Sequence, residues 1–203
     1  MTIDEIMRIA PVIPVLVLDG SYDAAELATT LVEAGLPVIE VTLRTPGAIE
    51  ALNAMAEVPG AVVGAGTVLN EHQLGEARAA GAKFIVSPGL TEPLVQAAEG
   101  MPFLPGVSSA GDIMRGLDVC IDRFKFFPAE AAGGISLLKA LSAPFTGLRF
   151  CPTGGITAAT ASHWLALEAV ACVGGSWIVP KGASLKQIGE LARQAAALPP
   201  STD

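Results

Sequence analysis

The chain has 203 residues, of which 51% are hydrophobic and 16% are charged, and its formal net charge is −8. This length and apolar content suffice for one sizeable core and predict a single domain over residues 1–203. Because the net charge is negative and no stretch concentrates Lys and Arg, the composition argues against nucleic acids and anionic membranes as partners.

Short runs of β-branched residues alternate with Ala- and Leu-rich stretches along the whole chain. The strand candidates are 12–18, 38–43, 62–67, 84–87, 103–105, 124–127, 149–152 and 169–173. The helix candidates lie near 22–34, 46–57, 71–80, 92–99, 109–119, 134–142, 157–166 and 184–197. Eight strand–helix units predict an α/β fold with a parallel sheet, because parallel neighbours need helical crossovers. Eight units also favour closure into a (β/α)8 TIM barrel over an open doubly wound sheet, since no GxGxxG motif follows the first strand.

The ends of several elements carry their own signals. Ser21, Asn70 and Thr157 stand where three of the helices are expected to begin, and all three are suitable N-cap residues. The apolar run 9–18 holds two prolines and is too short to span a bilayer, so it predicts neither a transmembrane helix nor a signal peptide. The end of the chain, 198–203, is expected to fray.

The cysteines and histidines are few and widely spaced. Cys120, Cys151 and Cys172 are odd in number and form no CxxC pair, which predicts reduced, mostly buried thiols in a cytoplasmic protein. His72 and His163 lie in no metal-ligand pattern, so no zinc site is expected.

The second predicted strand carries a carboxylate and a guanidinium on one face. Alternation places Glu40, Thr42 and Arg44 on one side and Ile39 and Val41 on the other. The apolar side is expected to pack against helices, so Glu40 and Arg44 are expected to point into the barrel. There they form either a structural ion pair or a proton-transfer group beside a clamp for a substrate anion.

The strands that follow end in residues that suit a pocket. The strand 62–67 ends in Gly66 and Thr67, where glycine permits either close approach of a ligand or tight barrel packing. A turn containing Pro88 follows the fourth strand, and another turn follows the fifth. Each of these turns is either a pocket wall or an ordinary connection.

A lysine lies inside an otherwise apolar strand at 124–127. Lys125 and Phe127 share one face of this strand, and Phe124 and Phe126 share the other. Lysine is almost never fully buried without a partner or a purpose. A desolvated lysine gives up its proton more readily, and a neutral amine condenses with a ketone to form a Schiff base. The alternative is a surface lysine whose stem packs on the phenylalanines while its ammonium reaches water.

Gly-Gly pairs follow the last two predicted strands. They are Gly154-Gly155 and Gly174-Gly175, and Ser176 comes directly after the second pair. In barrels, the loops after strands seven and eight frequently bind phosphate through backbone N–H groups. Glycine lets the chain wrap around an anion without charged side chains. Plain turns would use the same residues, but two such pairs at these positions favour a phosphate site.

Taken together, these residues resemble the 2-keto-3-deoxy-6-phosphogluconate (KDPG) aldolase family, whose members often also cleave 4-hydroxy-2-oxoglutarate (KHG). The resemblance spans nearly the whole chain. The matching stretches are 40–45 (Glu-Val-Thr-Leu-Arg-Thr), 63–69 (Val-Gly-Ala-Gly-Thr-Val-Leu), 87–91 (Ser-Pro-Gly-Leu-Thr), 124–130 (Phe-Lys-Phe-Phe-Pro-Ala-Glu), 150–156 (Phe-Cys-Pro-Thr-Gly-Gly-Ile) and 174–177 (Gly-Gly-Ser-Trp).

The resemblance implies a reaction and an assembly. It makes Lys125 the lysine that forms the Schiff base and Glu40 the carboxylate that transfers protons. The implied reaction is a class I retro-aldol cleavage of KDPG, a keto-acid phosphate, to pyruvate and glyceraldehyde 3-phosphate. The family is a (β/α)8 barrel, is usually a homotrimer, and uses no metal or other cofactor.

The resemblance also implies the residues that bind the substrate. Arg44 and Thr67 correspond to ligands of the carboxylate at the pyruvate end, and Pro88 and Phe127 to residues that line the site. The phosphate site corresponds to Gly154, Gly155, Gly174 and Ser176. There is one departure: residues 107–112 read Val-Ser-Ser-Ala-Gly-Asp where the family more often has a Ser-Thr pair and a Glu, which bears on substrate preference rather than on the chemistry.

Two other functions compete on the residues alone. A phosphosugar epimerase or isomerase of the same fold would use the phosphate loops with carboxylate or metal chemistry, but it leaves Lys125 unexplained. A non-catalytic phosphosugar-binding protein would keep the glycine loops, yet it has no need of Glu40, Arg44 and Lys125 together. Sensitivity to a chelator distinguishes the first of these, and borohydride trapping distinguishes the second.

Overall fold

Strands and short helices alternate through the chain, which a computed structural model describes over residues 1–199. Residues 200–203, part of the end expected to fray, lie outside the described residues. The strands are β1 Val12–Leu16, β2 Val38–Thr42, β3 Val62–Gly66, β4 Phe84–Val86, β5 Phe103–Leu104, β6 Gly106–Val107, β7 Arg123–Phe126, β8 Arg149–Pro152 and β9 Val173–Gly175. The helices are α1 Ile3–Met7, α2 Ala24–Glu33, α3 Ala48–Ala56, α4 Glu71–Ala79, α5 Glu92–Ala97, α6 Ala110–Asp118, α7 Ala129–Ala132, α8 Gly134–Ser142, α9 Ala161–Leu165 and α10 Leu185–Ala196.

The strands form two parallel sheets. Six strands lie in the order β5-β4-β3-β2-β1-β9, and three lie in the order β6-β7-β8. β5 and β6 are separated only by Pro105, which has no N–H to continue a ladder, although its carbonyl accepts a hydrogen bond from the Lys125 N–H at 2.9 Å. The predicted α/β fold with a curled parallel sheet is confirmed. Regular pairing, however, covers six strands and three strands separately rather than one continuous ring of eight.

The last strand lies later in the chain than the sequence predicts. We expected it at 169–173, whereas β9 is Val173–Gly175. Two isolated parallel bridges, Phe150 to Val170 and Thr153 to Gly174, explain the shift. Between the two bridges the chain advances by three residues on the β8 side, from 150 to 153, and by four on the other side, from 170 to 174. The segment 170–174 therefore contains one extra residue, a bulge that interrupts the ladder before β9 begins. Gly174 and Gly175 therefore lie within the strand rather than after it.

Two of the three expected N-caps differ from the observed ones. Asn70 caps α4 and accepts a hydrogen bond from the Gln73 N–H at 3.0 Å, as predicted. α2 is instead capped by Asp23, which accepts a hydrogen bond from the Glu26 N–H at 2.9 Å, whereas Ser21 lies earlier and donates to Asp19. Thr157 begins a turn that precedes α9, whose cap is Thr160.

Apolar side chains form two layers on either side of the strands. The larger layer lies between strands and helices and includes Ile39 and Val41, which were expected to face the helices, and Phe124 and Phe126, which alternate with Lys125. The smaller layer fills the space enclosed by the strands and consists of Ile6, Met7, Ile13, Val38, Phe84, Val86, Leu104, Cys151, Ala171 and Cys172. Ile6 and Met7 come from α1, an element that the sequence analysis does not predict, so α1 covers one end of the enclosed space.

Every described helix is short. The longest is α10, with 12 residues, whereas about 20 are needed to cross the hydrocarbon core of a bilayer. Among residues 1–199, no helix is both long and apolar enough to span a membrane.

Candidate active site

A lysine and a carboxylate from different sheets meet inside the strands. Lys125 lies on β7 and Glu40 on β2, and the Lys125 Nζ donates to Glu40 Oε1 at 3.0 Å and Oε2 at 3.3 Å. Their side chains are only 5% and 4% exposed. Burying a single charge is costly, so each group depends on the other for its place in the interior. Lys125 is thus buried beside a partner, and the alternative of a surface lysine whose ammonium reaches water is wrong.

Small residues on neighbouring strands make room for this pair. Gly66 aligns with Thr42 in the β2–β3 ladder. A Cβ on Gly66 would lie 2.7 Å from the Glu40 Cγ and 2.8 Å from its Cδ, closer than real contacts allow. The glycine in β3 is therefore required by the Glu40 carboxylate. The ring of Phe127, just beyond β7, lies 5.4 Å from the Lys125 Nζ and offers its face to the amine.

Arg44 lies at the rim rather than in the interior. β2 ends at Thr42, so the alternation that we extended to Arg44 no longer applies there, and its side chain is exposed. The Arg44 Nε donates to Thr67 Oγ1 at 3.1 Å. The alternative of a structural ion pair between Arg44 and Glu40 is therefore wrong: Glu40 pairs with Lys125, and Arg44 contacts Thr67.

Thr67 is held in an unusual backbone conformation. Its φ is +58°, in the left-handed region that β-branched residues rarely adopt. Such strain persists only where the surroundings fix it, and it clusters at ligand sites. The conformation places the half-buried Thr67 hydroxyl next to the Arg44 guanidinium, so a cation and a hydroxyl converge at the ends of β2 and β3.

Pro88 lies on the exposed turn that follows β4. This turn presses on β6, because a Cβ on Gly106 would clash with the Pro88 carbonyl and lie 2.8 Å from the Gly89 nitrogen. Gly106 is the register partner of Lys125. The structure therefore brings the Pro88 turn against the strand next to the lysine.

The two Gly-Gly pairs, the first in the loop after β8 and the second at the end of β9, meet at a third place on the same rim. Gly154 and Gly155 have φ of +104° and +82°, conformations that side chains rarely tolerate. Gly174 is bridged to Thr153, whose side chain leaves no room for a Cβ at position 174. Ser176 follows as an exposed residue at the start of a 3-10 turn. The bridge from Thr153 to Gly174 thereby brings the two Gly-Gly pairs, and the Ser176 hydroxyl after the second, to one part of the rim.

Sequence reasoning gave no role to Glu130, which supports the first glycine loop. Its N–H donates to the Gly154 carbonyl at 3.0 Å, and its carboxylate accepts a hydrogen bond from the Trp164 Nε1 at 3.0 Å. A Cβ on Gly155 would lie 2.7 Å from the Glu130 Cβ. Glu130 is the last residue of the stretch 124–130, which contains Lys125, but only the fold brings it beneath the loop after β8.

Two of the cysteines lie in the interior near Lys125 and Glu40. Cys151 is the register partner of Lys125, and both Cys151 and Cys172 are buried, whereas Cys120 is exposed. The hydrogen bond with Cys151 and burial raise the pKa of the Cys172 thiol, so this thiol stays protonated and inert. All three cysteines are free. In the part of the chain that the structure describes, no group of three or more His, Cys, Asp or Glu side chains is placed to hold a metal ion.

Known proteins match this chain over almost its whole length. A model of the family described as KDPG and KHG aldolase matches residues 3–193. The 2-dehydro-3-deoxy-phosphogluconate aldolase of Zymomonas mobilis is 54% identical over 96% of this chain and 95% of its own, and the KHG/KDPG aldolase of Escherichia coli is 50% identical over 95% and 93%. A crystal structure of the KDPG aldolase from Legionella pneumophila, with pyruvate captured as a covalent carbinolamine, has a TM-score of 0.92 at 44% identity and covers 97% of this chain and 99% of that one.

Proposed function

The chain belongs to the KDPG and KHG aldolase family, and we propose that it is a class I aldolase that cleaves KDPG to pyruvate and glyceraldehyde 3-phosphate. The observation that carries this proposal is the buried lysine at 3.0 Å from a buried carboxylate. A Schiff-base aldolase needs an amine nucleophile and a proton carrier within reach of the same substrate atoms. The carbinolamine captured in the Legionella pneumophila aldolase belongs to the same chemistry.

The first half of the reaction forms the iminium. The Lys125 ammonium passes a proton to the adjacent Glu40 carboxylate, and the neutral amine attacks the C2 carbonyl of the substrate. Glu40 returns the proton to the carbinolamine hydroxyl, which leaves as water. The positively charged iminium then draws electrons from the C3–C4 bond.

The second half breaks that bond and releases both products. Glu40, directly or through a water, takes the proton of the C4 hydroxyl, and the C3–C4 electron pair moves into the iminium to give an enamine. Glyceraldehyde 3-phosphate leaves with the new carbonyl at C4. Protonation of the enamine carbon and addition of water then release pyruvate and restore the Lys125 amine. Each proton is transferred within reach of the same carboxylate.

The remaining rim residues orient the substrate in this proposal. Arg44 and Thr67 bind the carboxylate at the pyruvate end, and their mutual hydrogen bond at 3.1 Å places two donors side by side for it. Pro88 and Phe127 line the site around C2 to C4. The phosphate binds to backbone N–H groups and one hydroxyl of Gly154, Gly155, Gly174 and Ser176, and the positive φ values of Gly154 and Gly155 let that loop turn around the anion.

KHG is a second substrate in this proposal. It carries the same 2-keto group and 4-hydroxyl group as KDPG, so Lys125 and Glu40 act on the same atoms, and the products are pyruvate and glyoxylate. The Escherichia coli relative, at 50% identity, is named for both substrates.

The closure of the barrel, the oligomeric state and the cellular location are also part of the proposal. We infer that the two sheets belong to one (β/α)8 barrel forming a single domain over 1–203, because β5 runs into β6 across Pro105 and parallel bridges join β8 to the β9 segment. The barrel is further inferred to assemble as a homotrimer, as its family usually does, and to work in the cytoplasm, where its three free cysteines stay reduced. Metals and other cofactors have no part in the proposed reaction.

The direct test is turnover of KDPG by the purified protein. We expect pyruvate and glyceraldehyde 3-phosphate in equal amounts, measured in separate assays with lactate dehydrogenase for pyruvate and with triosephosphate isomerase plus glycerol-phosphate dehydrogenase for glyceraldehyde 3-phosphate. The rate should be unchanged after dialysis against a chelator. Loss of activity that divalent metal restores would point to metal chemistry, and binding of KDPG without products would point to a binding protein.

A further inference from the structure

A cavity of about 310 Å³ lies beside the second glycine loop. Its walls come from the end of β1 and the loop after it, and from the segment that follows the 3-10 turn. They include Val15, Val17, Asp19, Ser176 and Lys181. Ser176 and Lys181 thus line the same cavity. No motif in the sequence identifies Lys181.

The ammonium of Lys181 is available to a ligand. Lys181 is exposed, and among residues 1–199 no hydrogen bond or ion pair within 4 Å holds its side chain. The facing carboxylate, Asp19, is already engaged, because the hydroxyl and the N–H of Ser21 both donate to it. These hydrogen bonds lower the pKa of Asp19, and the positive charge of Lys181 adds to the effect. Asp19 and Lys181 line the same cavity, and no ion pair within 4 Å joins them in the part of the chain that the structure describes.

The backbone around Lys181 is anchored rather than free. Tyr22 precedes α2 and donates its hydroxyl hydrogen to the Ala183 carbonyl at 2.8 Å. Ser184 then caps α10 with a hydrogen bond from the Gln187 N–H at 3.3 Å. These contacts hold the backbone that follows Lys181 in place, and Lys181 lines the same cavity as Ser176.

We propose that Lys181 is a specificity-determining residue that selects substrates with a doubly charged distal end by placing an ammonium over the phosphate. This inference rests on the proposed function and deepens it. The glycine loops and Ser176 supply only neutral donors, which bind an anion but discriminate weakly between one negative charge and two. A cation across the cavity adds an attraction that grows with the charge of the ligand.

The test compares two substrates in three lysine variants. Lys181→Met removes the charge and keeps the length of the side chain, and Lys83→Met is the matched control, since Lys83 is an exposed lysine next to β4, at the opposite end of the strands. We expect Lys181→Met to lower the ratio of kcat/KM on KDPG to kcat/KM on unphosphorylated 2-keto-3-deoxygluconate by roughly two- to fivefold, the usual worth of an exposed ion pair. The loss should lie in KM, should shrink in 0.5 M NaCl because salt screens exposed charges, and should be reduced in Lys181→Arg.

Three outcomes would overturn the inference. They are an unchanged substrate ratio in Lys181→Met, equal losses on both substrates, and an equal shift of the ratio in Lys83→Met. Failure of the proposed function looks different, because the unmodified protein would then cleave neither substrate.

Discussion

The contacts of Glu40 stabilise the fold and also position its carboxylate for the proposed proton transfer. Its carboxylate fills the space left by Gly66 and contacts Lys125 through both oxygens. Removing one member of a buried ion pair typically costs about 3–5 kcal/mol, because the other charge is left without a partner. A test of its chemical role must therefore keep its shape and its hydrogen bonds.

Glu40→Gln keeps the shape and one of the two accepting oxygens, but it removes the negative charge and the proton transfer, so its stability is measured beside its kinetics. We expect kcat on KDPG to fall roughly 10²- to 10⁴-fold, the usual contribution of a positioned acid–base group. The reduced pyruvate adduct should still form on prolonged incubation, because the nucleophile is intact. Steady-state kinetics and adduct mass spectrometry measure the two effects, and near-normal turnover would make Glu40 a structural residue only.

Ser176→Ala tests the phosphate end of the site. Losing a hydroxyl donor to a charged acceptor costs about 1.5–3 kcal/mol, so kcat/KM for KDPG should fall roughly ten- to a hundredfold. Cleavage of 2-keto-3-deoxygluconate should hardly change, because its distal end carries no charge. Equal losses on both substrates would instead assign Ser176 to the fold.

At the scale of elements, the sequence pattern predicts most strands and fails where pairing is irregular. Alternation along β2 and β7 correctly separates the helix-facing residues Ile39 and Phe124 from the interior residues Glu40 and Lys125. The bulge before β9 leaves no sequence signal, because it arises from the register between two segments. The contact of Arg44 with Thr67 depends on where β2 ends, and strand ends are set by neighbouring strands more than by local preference.

β3 offers a matched pair of glycine substitutions with α4. Gly66→Ala places a methyl group on the Glu40 carboxylate and should both destabilise the protein by about 1–3 kcal/mol and lower kcat. Gly75→Ala, in α4, meets nothing within 4 Å and should stabilise by about 0.5–1 kcal/mol with kcat unchanged. Urea unfolding measures the free energy of unfolding of both variants, and steady-state kinetics measure kcat. Similar changes of both quantities in the two variants would show that Gly66 has no special role at the site.

At the scale of the whole molecule, one ionic network ties α1 to the strands it covers. Asp4 on α1 pairs with Arg123 on β7 and, at 2.9 Å, with Arg8. Burial raises the pKa of Asp4, but the hydrogen bonds and charges of Arg123 and Arg8 outweigh it, so the pKa lies below its usual 3.8. The folded protein therefore holds this proton less tightly than the unfolded chain does. The resulting stabilisation is present above the unfolded value and is lost as pH falls through the lowered folded value.

Asp4→Asn should reveal this contribution. We expect the variant to be less stable than the unmodified protein at pH 7, with the difference shrinking as the pH falls below about 3.8. The exposed Asp118→Asn variant is the control and should show no such pH-dependent difference. Urea unfolding across this pH range measures both, and a difference that stays constant down to pH 2.5 would contradict the assigned role.

The proposed reaction depends on a Schiff base at Lys125. Incubation of the purified protein with pyruvate and borohydride, followed by peptide mapping, should place one reduced pyruvyl group on the peptide that contains Lys125 and on no other. Lys125→Met should remove the adduct, whereas Lys139→Met, which changes an exposed lysine on α8, should retain it. A pyruvyl group on a different lysine of the unmodified protein, or none at all while KDPG is being cleaved, would contradict the account.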